Sequence, residues 1–153
     1  MPNAKNMNHL DPVDILIVED NPSDAELIVK TLKKMHFANK IFIAEDGAEA
    51  LDFIFCRGIY SDRNISNPPK VIFLDLKLPK VNGLEVLKEI KSNPDTKRLP
   101  VVILTSSKED PDIKAAYELG TNSYVVKPVD FDAFIHAVTS VGLYWVVVNE
   151  SPK

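Results

Sequence analysis

The chain has 153 residues, of which 45% are hydrophobic and 26% are charged, which is typical of one compact domain with an ordinary core. Its net charge of −4 and its lack of a basic run give no support to nucleic-acid binding. The single cysteine, Cys56, excludes an intramolecular disulfide, and without a signal peptide or an apolar run of about 18 residues we expect a cytoplasmic protein that does not span a membrane.

Five short apolar runs alternate with helical patterns along the chain. Each run is bounded by charged or turn-forming residues, which is typical of a buried strand. In chain order the runs span residues 13–18, 40–44, 71–75, 101–105 and 123–127. Apolar side chains spaced three and four residues apart follow each run and predict helices that begin near residues 22, 47, 84, 110 and 131. The alternation predicts an α/β fold, a doubly wound parallel sheet with helices on both faces.

Three segments lie outside this alternation. Residues 1–12 are polar and aperiodic, which is typical of a flexible lead-in. Residues 57–70 are polar and longer than a usual connection, so we expect a surface loop or a helix extension that contributes to specificity. Residues 149–153 are expected to form a C-terminal tail, which leaves residues 13–148 as a single domain.

Four of the five predicted strands end on polar side chains. These are Glu19 and Asp20 after the first strand, Asp75 at the third, Thr105 at the fourth and Lys127 at the fifth. Because the strands are parallel, the four ends lie on one edge of the sheet, where open sheets of this type bind ligands. Each residue alone has an ordinary structural explanation, such as a helix cap, a turn carboxylate or a solvated strand end.

Together these side chains point to a metal ion and a phosphoryl group. Three carboxylates repel one another unless a cation lies among them, and their oxygens suit Mg²⁺ or Mn²⁺. No His or Cys stands at these ends, which argues against zinc or copper. A carboxylate beside Mg²⁺ can act as a nucleophile toward a phosphoryl group. Lys127 and Thr105 supply the cation and the hydroxyl that the phosphoryl oxygens then need.

On these residues the chain resembles the receiver domain of two-component response regulators, over roughly residues 13–141. The likeness also includes Tyr124, at the position of an aromatic switch residue, and Pro128, at the position of a proline that follows a cis peptide bond. A finer likeness is to the stand-alone regulators of bacterial phytochromes and to similar archaeal regulators. It rests on residues 57–69 and 90–107 and on the aromatic C-terminal region around Tyr144 and Trp145.

The resemblance implies a flavodoxin-like (βα)5 fold with strand order 2-1-3-4-5 and a specific metal site. Asp20 and Asp75 would bind Mg²⁺ directly, Glu19 would bind it through water, and the backbone carbonyl of Lys77 would complete the protein ligands. Asp75 would be the phosphoacceptor and would receive its phosphoryl group from a sensor histidine kinase. The finer likeness implies that this kinase is a phytochrome-type photoreceptor.

The resemblance also implies how the signal is transmitted. Thr105 and Lys127 would close on the phosphoryl oxygens, and Tyr124 would turn inward and change the protein–protein contacts of the surface near it. The chain would catalyse only its own phosphorylation and dephosphorylation and would not be an enzyme acting on a separate substrate. Close relatives often have Asn at position 77, so Lys77 is expected either to alter the lifetime of the phosphorylated state or to contact the phosphoryl group. The apolar run 144–148 further predicts either packing on the domain or a dimer contact in the C-terminal region, and of the two we favour a homodimer.

Three other functions are compatible with parts of the pattern. A phosphatase with an aspartyl nucleophile usually has a second acid two residues further on, where this chain has Lys77. An FMN-binding module needs a phosphate loop after the first strand, where Glu19 and Asp20 would repel a phosphate. A degenerate receiver that binds partners without phosphorylation is disfavoured because the key residues are present.

Overall fold

The structure, a computed structural model, describes residues 13–36 and 40–150. It contains five strands: β1 (Ile15–Val18), β2 (Ile41–Ala44), β3 (Val71–Leu74), β4 (Val101–Thr105) and β5 (Ser123–Val126). The helices between and after them are α1 (Pro22–Lys34), α2 (Gly47–Ile54), α3 (Gly83–Ser92), α4 (Asp110–Glu118) and α5 (Phe131–Gly142). All the strands are parallel, and they form one sheet in the order β2-β1-β3-β4-β5. The predicted fold class and strand order are therefore confirmed.

Alternate residues of each strand point to the two faces of the sheet, and each face is covered by a separate apolar cluster. Leu16 and Leu74 lie in the first cluster, with apolar residues of α2, α3 and α4. Ile17 and Phe73 lie in the second cluster, with apolar residues of α1 and α5. Both faces are thus buried, which explains why these strands are continuous apolar runs rather than alternating ones.

The first helix shows how local sequence sets the element boundaries. The side-chain oxygen of Asn21 accepts hydrogen bonds from the backbone N–H groups of Ser23 (2.9 Å) and Asp24 (3.1 Å). Pro22, at the first helical position, has no N–H to leave unpaired. The helix therefore begins directly after Asn21, three residues past the end of β1. Its first turn lies close to the carboxyl end of that strand.

The segment 57–70 is a surface loop with a short 3-10 helix, Gly58–Tyr60, and it is anchored rather than free. The Tyr60 side chain is only 4% exposed, and its ring meets those of Phe42 and Phe53 edge-on at 5.7 and 5.2 Å. Its hydroxyl donates to Glu49 at 2.7 Å. The Arg63 guanidinium lies 3.7 Å from the centre of the Phe53 ring. The loop therefore packs against β2 and α2.

The C-terminal helix is longer than α5 alone, because a π-helical segment, Leu143–Val148, continues it. Trp145 and Val146 pack against the second apolar cluster, while other side chains of the segment, such as Tyr144 and Val147, are exposed. Among the described residues, the combined stretch Phe131–Val148 has the length and mean hydropathy (1.5) of a membrane span. That is weak support for one, since the inner face of α5 is part of the domain core.

Two expectations differ from the structure or lie beyond it. No cis peptide bond occurs in the described residues, so the bond before Pro128 is trans and the cis bond implied by the resemblance is not found. The flexible lead-in 1–12 and the end of the tail, 151–153, lie outside the described residues.

Candidate metal and phosphoryl site

The acidic groups of the site are held by backbone hydrogen bonds that continue the sheet. The Asp75 N–H donates to the Val18 carbonyl at 3.0 Å, so the pairing of β1 with β3 extends one residue past Leu74. On the other side of β1, the Glu19 N–H donates to the Ala44 carbonyl at 3.0 Å. Glu19 and Asp75 therefore leave the sheet from fixed positions on neighbouring strands.

Three carboxylates meet at this edge. Glu19, Asp20 and Asp75 each offer one oxygen, and these oxygens all lie within 4.8 Å of one another. Glu19 and Asp75 are only 3% and 7% exposed, whereas Asp20 is exposed. A set of three carboxylate oxygens that is open to solvent on one side fits Mg²⁺ or Mn²⁺, which retain several waters. These residues could therefore hold the divalent cation that the sequence predicts.

Lys127 links the acidic groups to one another. Its ammonium group donates to Glu19, to Asp24 at 2.9 Å and to Asp75 at 3.2 Å. The Lys127 side chain is only 8% exposed. All three N–H groups of the ammonium are thus directed at carboxylates, which is the pairing that a buried cation requires.

Burial and pairing act in opposite directions on the titration of this cluster. Burial raises the pKa of Glu19 to about 7, and the neighbouring Asp75 charge adds to the rise, while Lys127 works against it. Burial lowers the pKa of Lys127, but its hydrogen bond to Glu19 and the charges of Glu19 and Asp75 outweigh burial and leave that pKa raised. Lys127 is therefore a permanent cation at neutral pH.

Thr105 and Tyr124 lie on the side of the site formed by β4 and β5. Leu74 pairs with Ile103, so the fully buried Thr105 lies at the same edge as Asp75. The Thr105 hydroxyl oxygen accepts from the Ser107 N–H at 3.4 Å, and the Tyr124 hydroxyl donates to the Ser107 carbonyl at 2.8 Å. Ser107 thus joins the predicted hydroxyl residue to the predicted switch residue.

The turn after Asp75 is tightly packed. The Lys77 side chain is exposed, while its backbone N–H donates to an Asp75 carboxylate oxygen at 3.4 Å. A Cβ atom on Gly83, at the start of α3, would lie 2.2 Å from the Asp75 carbonyl oxygen, so only glycine fits there. This close approach of α3 fixes the backbone around the acidic group. The predicted roles of the Lys77 carbonyl in metal binding and of its side chain in phosphoryl lifetime stay predictions.

The structure places most of the predicted site residues together and adds one. Glu19, Asp20, Asp75 and Lys127 form one cluster. Asp24, which contacts Lys127, has no place in the sequence prediction. An acidic residue in the first turn of a helix was the available signal, but such a residue is common at helix N-termini.

Comparison with known families and proteins gives a consistent result. The response regulator receiver domain family matches residues 15–139 of the chain. The response regulator Rcp1 of Synechocystis is 40% identical over 134 residues, which cover 88% of this chain and 89% of Rcp1. A probable methanogenesis regulatory protein, FilR2 of Methanothrix harundinacea, is 38% identical over 142 residues, covering 93% of this chain and 89% of FilR2.

Solved structures extend the comparison to the fold. The Mn²⁺-bound form of Rcp1 matches this structure with a TM-score of 0.86 at 38% identity. The match covers 93% of this chain and 100% of the Rcp1 chain. The phosphorylated cyanobacterial phytochrome response regulator RcpA also matches with a TM-score of 0.86, at 34% identity. That match covers 94% of this chain and 100% of the RcpA chain. The resemblance to phytochrome-associated and archaeal regulators is therefore confirmed.

Proposed function

Because this chain belongs to the response regulator receiver family of two-component signalling, we propose that Asp75 accepts a phosphoryl group from a sensor histidine kinase in a Mg²⁺-dependent reaction. An Asp75 carboxylate oxygen forms a bond to phosphorus, and the bond between phosphorus and the kinase histidine nitrogen breaks, with its electron pair left on the imidazole. The observation that carries the proposal is that Asp75 belongs to the set of three carboxylates that could hold a metal ion and also accepts from the Lys127 ammonium.

Asp20, Asp75 and the Lys77 carbonyl would bind the cation directly, and Glu19 would bind it through water. When bound, the cation supplies positive charge that neutralises the carboxylates and the phosphoryl oxygens. Rcp1 has an Mn²⁺-bound form, which supports a divalent cation as the ligand of this acidic cluster. The exposure of Asp20 leaves that side of the cluster open for a cation to enter.

Thr105 and Lys127 would bind the phosphoryl oxygens after transfer, through the hydroxyl and the ammonium. Movement of Thr105 toward these oxygens would pull on Ser107, whose carbonyl holds the Tyr124 hydroxyl. Tyr124 would then turn inward and change the surface formed by α4 and β5. The output of the protein would be this change in protein–protein contacts.

The likeness to the phytochrome response regulator RcpA supports a phytochrome-type photoreceptor as the kinase. A homodimer is proposed as the assembled state. The exposed apolar side chains of the C-terminal segment, among them Leu143, Tyr144, Val147 and Val148, would form the dimer contact. No feature of the described residues favours the phosphatase or FMN-binding alternatives. The cytoplasmic location, the domain boundaries and the lack of nucleic-acid or membrane partners stay predictions.

The test is the intact mass of the protein after incubation with Mg²⁺ and a small acyl-phosphate donor. We expect one phosphoryl adduct that is stable in acid and labile in base, as an acyl phosphate is. The adduct should be absent from Asp75→Ala and present in Asp95→Asn, which changes an exposed acid away from the site. An adduct that persists in Asp75→Ala would place the nucleophile elsewhere and would refute the proposal.

A further inference from the structure

Lys127 and the three carboxylates that accept from it, Glu19, Asp24 and Asp75, are called the Lys127 network below. Asp24 is the member of this network that the proposed function leaves without a role. It lies in the first turn of α1, where the Asn21 cap fixes its backbone and the helix N-terminus favours a negative charge. Its carboxylate accepts from the Lys127 ammonium at 2.9 Å, a shorter contact than the 3.2 Å between Lys127 and Asp75. In this state Lys127 is therefore held closer to α1 than to the phosphoacceptor.

Lys127 has too few N–H donors to bind a phosphoryl group while it keeps all of its present partners. An ammonium group has three N–H donors, and Glu19, Asp24 and Asp75 accept all three. Glu19 and Asp75 belong to the set of metal-binding oxygens, and Asp24 does not. A bound metal ion would therefore compete with Lys127 for Glu19 and Asp75, but not for Asp24.

We propose that Asp24 is a positioning residue that restrains the Lys127 ammonium on the α1 side of the site and competes with the phosphoryl oxygens for it. This inference rests on the proposed function of Asp75. Each approach of a phosphoryl group must draw Lys127 away from Asp24, and the Asp24 charge also repels the anionic phosphoryl group. Asp24 thus lowers the affinity of the site for phosphoryl groups and reduces the fraction of molecules in which Lys127 contacts a bound phosphoryl group.

The experiment measures the affinity for beryllofluoride, an anionic phosphoryl analogue, by titration calorimetry at saturating Mg²⁺. We expect Asp24→Asn to bind roughly three- to tenfold more tightly than the wild type, since the partly exposed Asp24 (32%) gives a modest charge effect. Asp24→Glu keeps the charge and should return the affinity toward the wild-type value. Glu26→Gln removes one charge from the outer face of the same helix, where Glu26 pairs with Lys30, and should leave the affinity unchanged.

The outcomes separate this inference from the function on which it rests. Unchanged or weaker analogue binding in Asp24→Asn, with a wild-type protein that binds beryllofluoride and forms the acyl-phosphate adduct, overturns the role of Asp24 alone. A purely structural role would lower the thermal unfolding midpoint of Asp24→Asn without tightening analogue binding, and this also overturns the inference. A wild-type protein that neither binds the analogue nor forms the adduct overturns both proposals together.

Discussion

Strands β3 and β5 both lead into a residue of the candidate site, yet the sheet holds them differently. β3 lies between β1 and β4, and all four of its residues are buried. Among the described strands β5 lies at the edge and pairs with β4 alone, and all four of its residues are partly exposed. Asp75 therefore follows a strand that is fixed on both sides, whereas Lys127 and Tyr124 belong to a part of the sheet that can shift at lower cost. The role proposed for Asp75, a nucleophile, needs fixed geometry, and the role proposed for Tyr124, a switch, needs a movable part.

The largest expected effect comes from weakening each strand in turn. Phe73→Ala should lower the free energy of unfolding by about 3–5 kcal/mol, because it leaves a cavity beneath β3. Val125→Ala, in β5, should cost only about 1 kcal/mol, because that side chain is partly exposed. Urea unfolding of the two variants measures the difference. Equal losses would show that the edge strand is held as firmly as the central one.

The charged end of β5 gives the second test. In Lys127→Met the carboxylates of Glu19 and Asp75 lose a competing cation, so the affinity for Mg²⁺ should rise by about tenfold. Titration calorimetry without a phosphoryl donor gives this value directly. Lys91→Met is the matched control, because the Lys91 ammonium is also partly buried but donates to the Leu99 carbonyl and the Asn122 side chain, away from the site. An unchanged affinity in Lys127→Met would mean that Lys127 does not compete with the cation.

The smallest expected effect concerns the link between β5 and the loop after β4. Tyr124→Phe removes the hydrogen bond to the Ser107 carbonyl and should lower the free energy of unfolding by about 1 kcal/mol. Asp75 should still be phosphorylated in this variant, since the Tyr124 hydroxyl donates to the Ser107 carbonyl and not to the acidic cluster. Loss of the phosphoryl adduct in a folded Tyr124→Phe protein would instead place Tyr124 in the transfer step.

The central part of the site can be predicted from sequence because it depends on strand ends. Asp75, Thr105 and Lys127 each follow or end an apolar run, and parallel strands bring such ends to one edge whatever the details of packing. Asp24 is different, since its contact with Lys127 depends on how α1 packs beside the end of β5, 103 positions further along the chain. A first-turn acid also has a sufficient local explanation in the helix dipole.

The loop and the C-terminal segment show the same limit in another form. The polar composition of residues 57–70 predicts a surface loop, and the structure has one, but the burial of Tyr60 depends on the rings of Phe42 and Phe53 elsewhere in the chain. Apolar spacing predicts the helix that begins at Phe131, but the π-helical continuation over Leu143–Val148 has no distinct spacing of its own.

The Lys127 network also has a consequence for how the protein folds. The pair of Lys127 with Glu19 joins residues 108 positions apart, so it closes a loop that spans most of the described chain. Contacts of such sequence separation form late, because the entropy of loop closure must be met before they contribute. Before β5 has paired with the sheet, the carboxylates of Glu19 and Asp75 therefore lack the Lys127 ammonium as their partner. The signalling site is completed only when the last strand docks, which makes phosphoryl acceptance a property of the finished sheet.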